Sequence, residues 1–229
     1  MRFTAFAIAA LAMVAGQAYA GPTNEPPPVG NVIYQLTGQA ISGTYQQGTA
    51  DFVAGTTATN LAFAFREDPA YLELSDVTLV DVTSGGPNLV LNGDFSLGPV
   101  GSSAPTDWSY LNTFGAGAGG IVESGCGLTG NNCYVDGAVQ AYDAINQVIP
   151  TVVGDTYQVS FWYADTYPNG ALYQPTSTNG DVTDPGGNGR DMFVYAGAGV
   201  PVRVPEPASL ALLCSGLVGV GMLRRPRKV

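Results

Sequence analysis

The chain of 229 residues contains no histidine, and that removes more chemistry than any other feature. A Ser-His-Asp or Cys-His nucleophile needs an imidazole to take its proton, so neither can be assembled here. The serines fall in turns, without a nucleophile-elbow pattern. A zinc site also lacks ligands, because Cys126 and Cys133 are the only cysteines outside the C-terminal apolar run, where Cys214 serves as a small apolar residue. For acid–base work there remain eighteen Asp and Glu. A glycoside hydrolase needs only two of them at a set separation, and no pair stands out among so many. The chain is therefore expected not to be an enzyme, with a hydrolase as the remotest alternative.

Two kinds of binding chemistry survive. Gly186 to Val194 reads G-G-N-G-R-D-M-F-V, a single copy of the nonapeptide that builds calcium sites between stacked repeats. With Asp181 and Asp184 nearby, Asp191 makes a structural calcium site conceivable, since hard cations take clustered carboxylate and carbonyl oxygens. The plainer reading is a Gly-rich loop feeding a strand. The second chemistry is aromatic. Trp162 falls on the polar side of an alternating run, where an indole could carry the apolar face of a sugar ring. Trp108, Tyr110 and Tyr142 could extend that surface. Alternatively, Trp162 packs beneath the long Thr166–Arg190 connection.

These residues must be positioned by strands, because no stretch from Val32 onward sustains a helical period. Leu61, Phe63 and Phe65 alternate with Ala62 and Ala64. Tyr157, Val159, Phe161 and Tyr163 alternate with Gln158, Ser160 and Trp162. Met192–Ala196 reads as a late strand. Gly154-Asp155, between Ile145–Ile149 and Tyr157–Tyr163, reads as the turn of a hairpin. In Tyr71–Val82 the apolar parity changes near Ser75-Asp76, which calls for a β-bulge there. The expected fold is all-β, a single jelly-roll-like sandwich over 32–202, with 21–31 as a Pro-rich linker.

The two ends tell where the sandwich goes. Arg2, the apolar run Phe3–Val14 and Ala18-Tyr19-Ala20 form a secretory signal over 1–20, cut after Ala20 with Ala18 and Ala20 at the recognised positions. All eighteen carboxylates lie between Glu25 and Glu206, with only Arg66, Arg190 and Arg203 against them. So acidic a body disfavours nucleic acid and anionic membrane surfaces as partners. In an oxidising compartment the closely spaced Cys126 and Cys133 should form a disulfide. Toward the other end, 208–223 is a short uncharged run, with Arg224, Arg225, Arg227 and Lys228 after it. At about 1.5 Å per residue such a helix falls short of the ~30 Å hydrocarbon core, which suits a transient inner-membrane anchor.

Val204-Pro205-Glu206-Pro207-Ala208-Ser209-Leu210, then a short apolar helix and an Arg-rich terminus, resembles the PEP-CTERM protein-sorting signal over 203–229. The resemblance implies that exosortase, following signal peptidase, acts on the chain at Pro205, Glu206 and Pro207 in a Gram-negative, exopolysaccharide-making cell. The product would then leave the inner membrane for the surface or matrix. Within the body, Asn88–Phe95 (N-L-V-L-N-G-D-F), Thr106-Asp107-Trp108 and Gln147–Tyr163 are similar to galactose-binding-like, carbohydrate-binding modules. That resemblance implies polysaccharide as a ligand. It departs at Ser96, where the family carries a Glu that often ligates structural calcium. Ser75-Asp76-Val77 stands early in the chain, which implies a shifted strand order. The expected function is a non-enzymatic, polysaccharide-binding surface protein, the alternative being a structural or adhesive matrix protein with no discrete site.

Overall fold

A strand that buries one face repeats its apolar side chains every second residue, and the two best alternating runs become two of the longest strands. The computed structural model describes residues 28–37, 41–67, 71–112, 116–139, 141–165 and 190–199. Among them ten strands follow in order: β1 (Val32–Thr37), β2 (Gln46–Val53), β3 (Ala58–Glu67), β4 (Leu72–Asp81), β5 (Ser109–Leu111), β6 (Ile121–Ser124), β7 (Asn132–Asp136), β8 (Asp143–Pro150), β9 (Thr156–Asp165) and β10 (Arg190–Gly197). They form two five-stranded antiparallel sheets, β1-β10-β3-β8-β5 and β2-β9-β4-β7-β6. Over the described residues the chain is all-β, a two-sheet sandwich, as its alternation requires.

The core lies between the sheets. Leu61, Phe63 and Phe65 of β3, with Met192 and Val194 of β10, face Leu72, Leu74, Leu79, Val159 and Phe161 of the second sheet, all almost fully buried. Phe63 and Phe161 meet edge to face, centroids 5.2 Å apart, the favoured arrangement for two ring quadrupoles. The parity change in β4 is a bulge: its register against β9 shifts between Ser75 and Thr78, and Asp76 takes φ 50°. The extra residue keeps Leu74 and Val77 both pointing inward.

The hairpin expected at Gly154-Asp155 is not one. β8 pairs with β3 and β5, whereas β9 pairs with β2 and β4, so Thr151–Asp155 arches from one sheet to the other. Backbone bonds tie the arch to the end of β2, Ala54 N–H to Asp155 O at 2.9 Å and Gly154 N–H to Ala54 O at 2.9 Å. An arch lets Ile145 and Ile149 face Tyr157 and Val159 across the core. Alternation alone cannot separate that arrangement from side-by-side pairing.

The segment that follows β4 closes one flank of the sandwich. Leu79 and Val90 N–H both donate to Asn88 Oδ1 (2.9 and 3.0 Å), and Leu89 N–H donates to Leu79 O at 2.8 Å. Val77 N–H donates to Gly93 O at 2.9 Å. That approach leaves no room at Gly93, where a Cβ would sit 2.0 Å from Val77 O. Gln147, itself buried, accepts from Leu91 N–H (2.9 Å) and donates to Leu91 O (3.0 Å) and Asp107 O (2.8 Å). Phe95 and Trp108 are thereby driven into the core, 5.7 Å apart. Of the residues that carry the resemblance to carbohydrate-binding modules, Asn88, Val90, Gly93, Phe95, Trp108 and Gln147 are thus packing and hydrogen-bonding residues.

Candidate functional site

Of the four aromatic residues expected to form a binding surface, the fold keeps one on an open polar face. Trp108 is 5 % exposed. Its indole packs against Phe63 and Phe95, and its Nε1–H donates to Asn92 O at 3.1 Å, so it is a core residue and not a ligand platform. Tyr110 is half-buried on β5 and hydrogen-bonds Asp143. Tyr142 is buried just before β8, on the outer side of the first sheet, where its hydroxyl donates to Asp191 Oδ2 at 2.6 Å. The three do not join Trp162, which belongs to the second sheet.

Trp162 itself is half-buried on the outer face of β9. Neighbouring strands place Gln47 of β2 and Ser75 of β4 directly opposite it. Around it the face is polar: Gln47 Nε2 donates to Ser160 Oγ at 3.2 Å and Gln158 Nε2 to Asp51 Oδ1 at 3.0 Å. One indole set among carboxamides and hydroxyls matches the stacking surface that a sugar ring uses, with hydrogen-bonding groups around it.

A wall borders this face. Cys126 and Cys133 form the expected disulfide, Cα atoms 5.5 Å apart. The closed loop turns on Gly125, Gly127 and Gly130, all at positive φ, a region that costs glycine little. Leu128 N–H donates to Ser75 Oγ at 3.3 Å, and Gly127 N–H donates to Tyr45 Oη at 2.6 Å. Tyr45 in turn donates to Glu73. Burial first, and then that carboxylate, push the Tyr45 hydroxyl above the ordinary tyrosine range, so it remains a donor at every physiological pH. Tyr45, Ser75 and Leu128 could not be attached to Trp162 from sequence, because which strand neighbours which is not written in any one of them.

Other expected site residues are placed as follows. Asp191 is buried on β10 and engaged by Tyr142, whereas Asp181 and Asp184 lie outside the described residues. Among the described residues no group of three or more Cys, Asp or Glu is arranged to hold a metal ion. Of the three expected calcium ligands only Asp191 is described, and its carboxylate accepts from the Tyr142 hydroxyl. Ala18, Ala20, Pro205, Glu206, Pro207, Arg224, Arg225 and the expected helix 208–223 also lie outside the described residues. Among the described residues no helix is long and apolar enough to cross a membrane.

The last described strand ends at Gly197, and a family profile described as the PEP-CTERM protein-sorting motif matches residues 203–228 directly after it. The chain carries a PEP-CTERM sorting motif. That motif implies processing by exosortase and sorting to the cell envelope or surface. No curated protein and no solved structure matches the chain. The PEP-CTERM motif thus speaks for destination, while ligand chemistry rests on the sandwich.

Proposed function

We propose that this PEP-CTERM protein is a non-enzymatic polysaccharide-binding module of the outer surface or matrix, with Trp162 as its stacking platform. The strand order, in which early and late strands alternate within each sheet, fits a jelly roll, an architecture common among sugar-binding domains. The observation that carries the reading is the half-buried indole of Trp162 facing Gln47 and Ser75 across its ladders. Loss of histidine chemistry supports the non-enzymatic part. So does the burial of the facing carboxyl groups of Asp136 and Asp143, sealed from any substrate. Before release, the short run 208–223 and the basic residues Arg224 and Arg225 act as a transient inner-membrane anchor after signal peptidase has removed 1–20.

Retention of the exported protein on insoluble polysaccharide, and its binding across a glycan array, test this. Trp162→Ala should abolish retention while leaving the thermal midpoint unchanged. Undiminished retention by that variant overturns the platform. Failure of the wild-type protein to bind any glycan favours a structural or adhesive matrix role instead.

A further inference from the structure

One end of the sandwich buries more carboxylate than a protein interior ordinarily tolerates. β3, β7, β8 and β9 finish or begin there, bringing Glu67, Asp136, Asp143 and Asp165 to 1, 0, 0 and 8 % exposure. An ionised carboxylate in such a place is expensive unless it is paired or hydrogen-bonded. Part of the compensation is backbone: Ala138 N–H donates to Asp136 Oδ1 at 2.8 Å, and Gly120 N–H donates to Asp143 Oδ2 at 3.2 Å. The remaining oxygens, Asp136 Oδ2 and Asp143 Oδ1, are buried, and no backbone N–H is directed at either.

The two carboxyl groups lie close enough to act on each other, and a bond between two carboxyl groups, which would satisfy both orphaned oxygens, requires a proton on one of them. Asp143 already accepts from Gly120 N–H and from Tyr110. Asp136 accepts from a single amide, so the proton belongs on Asp136, which donates it to ionised Asp143. The cover is equally specific. A Cβ on Gly120 would lie 2.5 Å from Asp136 Oδ2 and 2.3 Å from the Tyr134 ring, and one on Gly119 would lie 2.1 Å from Tyr110 Oη. The Cβ on Gly119 would also lie 2.8 Å from Asp143 Oδ2, so only a Gly-Gly backbone closes over Tyr110, Tyr134, Asp136 and Asp143.

We propose that Asp136 and Asp143 form a one-proton latch, which closes this end of the sandwich while the proton is held and loosens it around Gly119-Gly120 when the proton is lost. The groups that act on the pair are Glu67 on β3, Tyr110 on β5 and Tyr134 on β7, while Asp165 on β9 lies across Leu72 of β4 from Asp136. Arg190 is opposite Glu67 in the β10–β3 ladder. Arg66 and Asp191 stand opposite each other on the outer side of the same sheet. Burial raises both aspartates above the ordinary carboxylate range, and for Asp136 the adjacent Asp143 adds to it. A folded-state value raised in this way gives stability that is complete below the unfolded carboxylate range, about 3.9. That stability is lost as pH climbs through the raised value. The latch is therefore acid-closed.

Thermal unfolding of the full chain across pH tests it, with Asp136→Asn as the permanent mimic: its amide keeps the acceptor for Ala138 N–H and a donor toward Asp143. The wild-type midpoint should fall as pH rises above the ordinary carboxylate range, and Asp136→Asn should flatten that fall. Asp143→Asn sets a new donor against Gly120 N–H and Tyr110, and should lose midpoint at all pH values. Parallel wild-type and Asp136→Asn curves, or equal cost for the two variants, overturn the proposal. Carboxyl carbon NMR on the wild-type protein decides the matter if neither variant folds. One aspartate titrating well above the rest supports the latch, and all titrating in the ordinary range removes it.

Discussion

Trp162 on β9 and Ser75 on β4 stand directly opposite each other one residue before the bulge, and the same Ser75 hydroxyl receives Leu128 N–H from the disulfide-closed loop. The proposed platform and the loop beside it are thus joined through one side chain. Ser75→Ala removes the acceptor while leaving the strand pair intact. The cost should be about 1 kcal/mol of stability, the usual net worth of such a bond, together with a several-fold loss of polysaccharide retention. Chemical denaturation and retention measured on the same variant check both, and unchanged retention would detach the loop from the site.

The two tryptophans should respond in opposite ways. Trp108→Ala opens a cavity beside Phe63 and Phe95 and frees Asn92 O from its donor, so it should cost about 3–5 kcal/mol. Any loss of binding in that variant should follow the unfolded fraction, whereas Trp162→Ala loses binding with the fold intact. Equal stability of Trp108→Ala and wild type in urea would contradict the packing described here.

Gly93→Ala tests the closure of the flank after β4. Its added methyl would meet Val77 O at 2.0 Å, and the nearest atoms are backbone, which cannot swing aside. A loss of about 1–3 kcal/mol or more is expected from such overpacking, seen as a lower urea midpoint. A neutral result would mean that Val77 N–H and Gly93 O do not hold each other in solution.

Processing predicts definite masses. The exported protein should lack residues 1–20 and the tail beyond the sorting motif, and should weigh two hydrogens less for the Cys126–Cys133 cystine. Replacing Pro205, Glu206 and Pro207 with alanine should leave the protein in the membrane fraction with its tail uncut. Cys126→Ser with Cys133→Ser should cost about 2.5 kcal/mol on chain-entropy grounds for so short a loop. Recovery of the triple-alanine protein at the surface with a normal mass would separate sorting from that motif.

Local pattern made much of this legible. Alternation in Leu61–Phe65 and Tyr157–Tyr163 told which side chains face inward, because a period of two has one meaning in a half-buried strand. The bulge at Asp76 showed itself as a break in parity, and the cystine as two close cysteines in an exported body. Pairing partners did not show, since any strand's apolar face fits several neighbours equally well; hence the arch at Gly154 read as a hairpin. Trp108 misled because it sits in an irregular segment bent by Asn92, Phe95 and Asp107 at positive φ, where no periodicity tells inside from outside. Asp136 and Asp143 were invisible as a pair, because isolated aspartates read as solvent-facing residues until the fold brings two of them beneath a glycine cover.

β10 is the last strand among the described residues, yet it lies between β1 and β3. A polypeptide synthesised N-terminus first therefore keeps a vacant slot in its first sheet until residue 190 has emerged. Any nascent molecule halted earlier exposes two unpaired edges, and such edges recruit neighbouring chains. The first sheet is therefore complete only once the chain has reached the stretch that directly precedes the sorting motif.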